Sequence, residues 1–279
     1  MLPTTILSRL LIWSAASRAI SLHTARAIAT PCDRRTVLRK VALVATVVGF
    51  STIVAGWLAF RPDPNALYKI LDTKCLAHAD RPGEFPPCVE VSQAAGFAIL
   101  RDRKGSRHFL LMPIEKISGI ESERVLSADA PNFFNLAWEN RSLIYSGALI
   151  SDDRILLALN SKSGRTQEQL HIHISCVKTE VKQELLLANG AITELWKPLP
   201  GGLLGHDYWA RRVTMEQFRK IGPFRLLAFG LPQAANGMGM FSLAMTENNG
   251  EVILLATERD LLDFNLASAE ELQDQDCAS

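Results

Sequence analysis

Asn160-Ser-Lys-Ser-Gly-Arg-Thr-Gln-Glu-Gln-Leu-His-Ile-His-Ile-Ser-Cys176 is the stretch from which the rest of the chain is read. In its second half His171 and His173 alternate with Leu170, Ile172 and Ile174. Alternation of period two is the pattern of a half-buried strand, and it places both imidazoles on one face and the aliphatic side chains on the other. The first half, Ser161 to Thr166, is a short polar loop with hydroxyls, a glycine and the cations of Lys162 and Arg165. Neutral imidazole, with an ordinary pKa of about 6.5, can attack phosphorus near neutral pH. The two cations and the backbone N–H groups around Gly164 can hold charge on phosphoryl oxygens, and Ser163 or Thr166 can donate to a leaving oxygen. Two such histidines also suit a core satisfied by backbone, or a metal. No third ligand stands at metal-site spacing, so neither metal nor cofactor is expected. Loop and strand together favour phosphoester chemistry.

Outward from this stretch the pattern is of strands and short helices without βαβ regularity, an α+β reading. Ile155 to Leu159 leads straight into the polar loop as a strand. Phe97 to Leu100 and His108 to Met112 read as a hairpin-like pair across Asp102–Arg107. Phe241 to Met245 and Glu251 to Thr257 pair across Glu247-Asn-Asn-Gly250, where Asn-Gly is a strong hairpin signal. His206 to Val213 is a further strand after the glycine-rich loop 198–205. Helices are expected over Asn65–Leu76, Pro131–Ser146 and Val181–Asn189, while Met215–Lys220 and Pro223–Leu231 read as helical or irregular. A Ser-x-x-Glu capping box is expected at Ser268 and Glu271.

At the other end, Val41 to Phe60 runs for twenty residues without a charge. At about 1.5 Å per residue that spans the roughly 30 Å of a bilayer core, so a single transmembrane helix is expected there. Arg34, Arg35, Arg39 and Lys40 precede it, against Arg61 and Asp63 beyond. The positive-inside rule then makes 1–40 a cytoplasmic tail and 61–279 an external domain. Cys75, Cys88, Cys176 and Cys277 follow the apolar segment. An oxidising compartment allows them two bridges in any of three connectivities, and free buried thiols are the alternative. Cys75–Cys88 would close a short Pro-rich loop, and Cys176–Cys277 would staple the C-terminus to the histidine strand. The near-neutral formal charge of +1 in 279 residues, with no basic stripe carrying aromatics, gives no ground for nucleic-acid binding.

The motif also resembles the histidine-triad superfamily, H-φ-H-φ-H-φ-φ after an Asn-loop-Gly-x-Ser/Thr segment. The match runs through Asn160, Gly164 and Thr166 to Gln169, His171 and His173. More specifically the chain is similar to the membrane-bound CDP-diacylglycerol pyrophosphatases from about residue 66 to the end. That likeness is carried by the blocks FLLMPIEKISGIES, APNFFNLAWENR, NSKSGRTQ, HIHISC, LPGGLLGHDYWARRV and LATERDLL with NLASAEE. The resemblance implies a histidine-triad-like antiparallel sheet with flanking helices, preceded here by the transmembrane helix. It implies hydrolysis of CDP-diacylglycerol to CMP and phosphatidic acid through a nucleotidyl-histidine, at the face of a bacterial inner membrane, with membrane lipid as partner and a periplasmic domain. His171 is then the nucleophile and His173 its phosphate partner, with Asn160, Lys162, Gly164, Arg165, Thr166 and Gln169 around the substrate. Gln169 stands where the superfamily has histidine; the alternative register would make His173 the middle member and Ser175 the third. A non-catalytic nucleotide or lipid sensor, or a pyrophosphatase of soluble nucleotide esters, fits the same motif.

Overall fold

The computed structural model describes residues 62–78, 85–145, 147 and 149–278. Among the described residues ten strands form one sheet: β1 (Cys88–Ser92), β2 (Phe97–Arg101), β3 (Phe109–Pro113), β4 (Ile155–Leu159), β5 (Ile172–Val177), β6 (Lys197–Pro198), β7 (Trp209–Val213), β8 (Phe241–Asn248), β9 (Glu251–Glu258) and β10 (Gln273–Asp274). Their order is β1-β2-β3-β5-β4-β8-β9-β7-β6, with β10 paired to β5. Every one of these pairings is antiparallel. The histidine strand β5 therefore has neighbours on both sides and lies inside the sheet. His173 stands opposite Leu110 on β3 and Ala158 on β4.

Alternation along β5 decides which face receives what. Ile172 and Ile174 join a large core with Leu111, Leu157 and Met245, covered by the helices Phe133–Glu139 and Pro223–Gly230. The first of these helices buries Phe133, Phe134, Ala137 and Trp138, a stripe recurring at helical spacing. It starts at Asn132, whose side chain accepts from the Asn135 amide, and stops at Glu139; a separate single turn, Arg141–Ile144, follows. On the opposite face the apolar packing is split. One cluster holds Leu100, Leu110 and Met112 under the helical segment from Ala66 to Cys75. The other holds Leu156, Ala158 and Leu255 under Thr179–Leu187. His173 stands on this face, its strand neighbours Leu110 and Ala158 belonging one to each cluster.

One part of the expected fold is corrected. Among the described residues no helix is long and apolar enough to cross a membrane. The described α-helices run from five to nine residues, because each only has to cover part of a sheet face, whereas a span needs about twenty residues. The fold is α+β with a large antiparallel sheet, and the transmembrane helix is withdrawn from it. Residues 41–60 and the flanking arginines that set its orientation lie outside the described residues.

Both disulfides form, Cys75–Cys88 with Cα atoms 5.6 Å apart and Cys176–Cys277 at 5.2 Å. The second bonds the end of the chain to β5, beside the β10 ladder that joins Gln273 to Val177. Ser268 makes no side-chain cap on the following turn; its hydroxyl is used by Asn160 instead. The capping box stands at Thr214 and Gln217.

Candidate active site

The polar loop turns away from β4 and returns to β5, and the turn is held from below by one hydroxyl. Ser161 Oγ accepts from the amides of Ser163 (3.1 Å) and Gly164 (2.9 Å) and donates to the Leu266 carbonyl (2.7 Å). Gly164 is required by proximity: a Cβ there would sit 2.7 Å from the Ala267 carbonyl oxygen. Loop 160–166 and the segment 265–270 are thereby fixed as one unit.

His171 and His173 are both buried, with ring centroids 4.9 Å apart. His171 Nδ1 lies 2.6 Å from the main-chain carbonyl of Gln169. A carbonyl only accepts, so Nδ1 carries the proton and the lone pair is on Nε2. The ring borders a cavity of about 670 Å³, within the range of small-ligand sites. Gln169 contributes only that carbonyl. Its fully buried amide is turned the other way, donating to the carbonyls of Pro113 (2.8 Å) and Glu115 (3.1 Å).

His173 is held by two groups that the spacing of the motif did not reveal. His108, fully buried just before β3, places Nε2 2.8 Å from His173 Nδ1. His108 Nδ1 faces the Lys104 carbonyl at 3.2 Å, which makes His108 Nδ1 a donor, its Nε2 an acceptor, and His173 Nδ1 the donor between the rings. His173 Nε2 then holds a lone pair without a hydrogen-bond partner, 3.6 Å from Glu270 Oε2. Glu270 is itself fixed by Asn160, whose Nδ2 donates to Oε2 (3.2 Å) and whose Oδ1 accepts the Glu270 amide (3.1 Å). Asn160 thus acts on the acid beside His173. The signals in sequence were faint: a histidine opening β3, and one glutamate of an adjacent pair.

Burial lowers the basicity of all three imidazoles. For His171 and His108 desolvation dominates, partly opposed for His171 by the Gln169 carbonyl and for His108 by Asp102. His173 lies well below the ordinary histidine value, through burial first and then the neighbouring His171 and His108. All three are therefore neutral at neutral pH. His108, His173 and Glu270 bring ligand-type atoms within 4.8 Å of one another. His108 Nε2 and His173 Nδ1 share one hydrogen bond at 2.8 Å, closer than the roughly 3.4 Å that tetrahedral coordination at about 2.0–2.1 Å sets. That spacing suits a shared proton.

The cations divide differently from the expectation. Arg165 borders the cavity, but its side chain is buried and bound to Glu121 (2.6 and 2.9 Å) and Glu168 (3.0 Å). Burial alone would raise the Glu121 carboxyl; the Arg165 and Ser118 hydrogen bonds and its own backbone outweigh this and bring it below the usual range. Lys162 is exposed outside the cavity lining, its amide donating to the Gly239 carbonyl. Instead Arg101 at the end of β2, Arg103 and Lys104 of the β2–β3 turn, and Lys74 border the cavity alongside Gly164 and Thr166.

A family model described as CDP-diacylglycerol pyrophosphatase matches residues 62–279. A Yersinia pestis protein named CDP-diacylglycerol pyrophosphatase is 48% identical over 231 residues, covering 81% of this chain and 90% of that protein. Among solved structures, a DUF4931 family protein from Bacillus cereus ATCC 10987 is similar at a TM-score of 0.42 and 10% identity. That likeness covers 61% of this chain and 84% of the other, and is too slight to carry an argument. The match to the family model spans the whole sheet and both histidines, and this chain belongs to the CDP-diacylglycerol pyrophosphatase family.

Proposed function

We propose that the protein hydrolyses CDP-diacylglycerol to CMP and phosphatidic acid through a nucleotidyl-histidine on His171. The observation that carries this reading is the Nδ1 contact of His171 with the Gln169 carbonyl, which leaves a neutral Nε2 lone pair at the cavity. Nε2 attacks the phosphorus of the cytidylyl group, a P–N bond forms, and the electron pair of the broken P–O bond leaves with phosphatidate. The Gln169 carbonyl steadies the charge that develops on the ring. In the second step water attacks the same phosphorus and gives its proton to His173 Nε2. The P–N electron pair then returns to His171. Glu270, 3.6 Å from His173 Nε2, stabilises the imidazolium formed, and Arg101, Arg103 and Lys104 face the diphosphate. The glutamine in the first triad position is no obstacle to turnover in this scheme, because its main chain does the orienting.

The test uses substrate labelled in the cytidylyl phosphate. His171→Ala is expected to lower CMP release by about a thousandfold or more while leaving the melting temperature near that of the parent chain. Rapid quenching of the parent should trap label on His171. Label on His173 would instead select the other register, and binding without CMP release would leave a sensor. Equal turnover of soluble CDP esters and of the lipid would make the enzyme a general nucleotide pyrophosphatase.

A further inference from the structure

Between Asp260 and Asn265 the chain makes a tight loop, closed by the bridge Asp260 N to Asn265 O (2.9 Å) and Asn265 N to Asp260 O (2.7 Å). Asn265 is buried and bonded to Thr257 and to the Ala267 amide. On this firm base Leu261, Leu262, Phe264 and Leu266 are exposed, Leu262 and Phe264 at 90% each. Phe264 takes a φ of 55°, a left-handed conformation that an aromatic residue adopts only at a cost. Elsewhere among the described residues exposed large apolar side chains occur singly or as the pair Leu186–Leu187, which is ordinary for a surface. Four within six positions are not.

The loop is continuous with the catalytic unit. Leu266 and Ala267 carbonyls accept from Ser161, and Arg259 donates to Ser163 (3.1 Å). Beside it opens a second cavity of about 530 Å³, bordered by Asp207, Glu258, Asp260 and Asp263 together with Trp209 and Arg259. Carboxylates at the foot of an apolar loop repel an anionic surface and complement amines, and tryptophan favours the interface between headgroup and hydrocarbon.

We propose that the loop Asp260–Leu266 docks the protein on a bilayer surface of amine-bearing zwitterionic phospholipid. Leu261, Leu262 and Phe264 enter the apolar layer while Glu258, Asp260 and Asp263 meet the headgroup amines. The inference rests on the proposed lipid substrate in one respect, that docking would set the catalytic loop beside a bilayer-held diacyl molecule.

The test uses the full chain carrying Leu262→Trp, with vesicles of phosphatidylethanolamine and phosphatidylcholine brominated high in the acyl chain. The fluorescence added over the parent chain is expected to shift to the blue and be quenched, and to be quenched less in phosphatidylglycerol vesicles. Added emission that stays water-like and unquenched overturns docking, as does a loop buried in a dimer that ignores vesicles. Equal quenching on anionic vesicles overturns the amine complementarity. In parallel, Phe264→Ser should raise KM for CDP-diacylglycerol in such vesicles about tenfold, with the rate on a short-chain, monomerically dispersed analogue unchanged. Equal losses on both would reduce the loop to a support for its neighbours. Should the parent chain turn over neither substrate, the proposed reaction fails while quenching still decides docking.

Discussion

At the scale of single residues, the site is built by fixing each reactive side chain through a buried neighbour. His171 is fixed through a main-chain carbonyl, His173 through His108, and Glu270 through Asn160. The consequence is a pH-dependent stability. The lowered pKa of the buried imidazoles means that, below the ordinary histidine value of about 6.5, the unfolded chain binds protons that the native chain refuses. Stability therefore falls as pH falls through that window, and is fully present above it. Melting temperatures measured from pH 7.5 to about 5 are expected to drop, and the drop should be shallower in His173→Gln. An unchanged slope in that variant would remove His173 from this role.

At the scale of elements, the polar loop and the segment after the 260–265 turn behave as a single clamp. The Gly164 position shows its tolerance, since an added Cβ meets backbone at 2.7 and 3.1 Å rather than a side chain that can swing aside. Gly164→Ala is expected to destabilise the domain by about 1–3 kcal/mol. It should also lower kcat about a hundredfold by displacing the Asn160–Glu270 pair. Melting curves with single-turnover CMP release check both, and a variant with parent kcat would show that the loop repositions freely. The glycine was legible as a glycine-loop motif, but for another reason than the one found: it yields to a neighbouring carbonyl. Helix ends were less legible. The Ser268 motif is recruited by Asn160 instead of capping its turn, while the Thr214–Gln217 box was not anticipated.

At the scale of the whole molecule, the Cys176–Cys277 bridge closes a separation of 101 residues and pins the segment that carries Glu270 to the histidine strand. Cys176→Ser with Cys277→Ser is expected to remove about 4–5 kcal/mol by the chain-entropy estimate. Denaturant unfolding of the oxidised parent and the variant measures it, and equal midpoints would show that the β10 ladder alone holds the tail. Local residue pattern was enough for the strands flanking the histidines, the hairpin at Asn249-Gly250, the face on which His171 and His173 lie, and the family. Those follow from period-two alternation, turn chemistry and local motif spacing, which act over a few residues. Tertiary structure decided what local pattern cannot carry. It chose the disulfide pairing from three connectivities and brought His108 and Glu270 to His173 from sequence separations of 65 and 97 residues. It turned Arg165 toward Glu121 and Glu168 and left Lys162 off the cavity. A side chain's partners are set by how distant strands register and which charges burial forces together, and those are properties of the folded sheet.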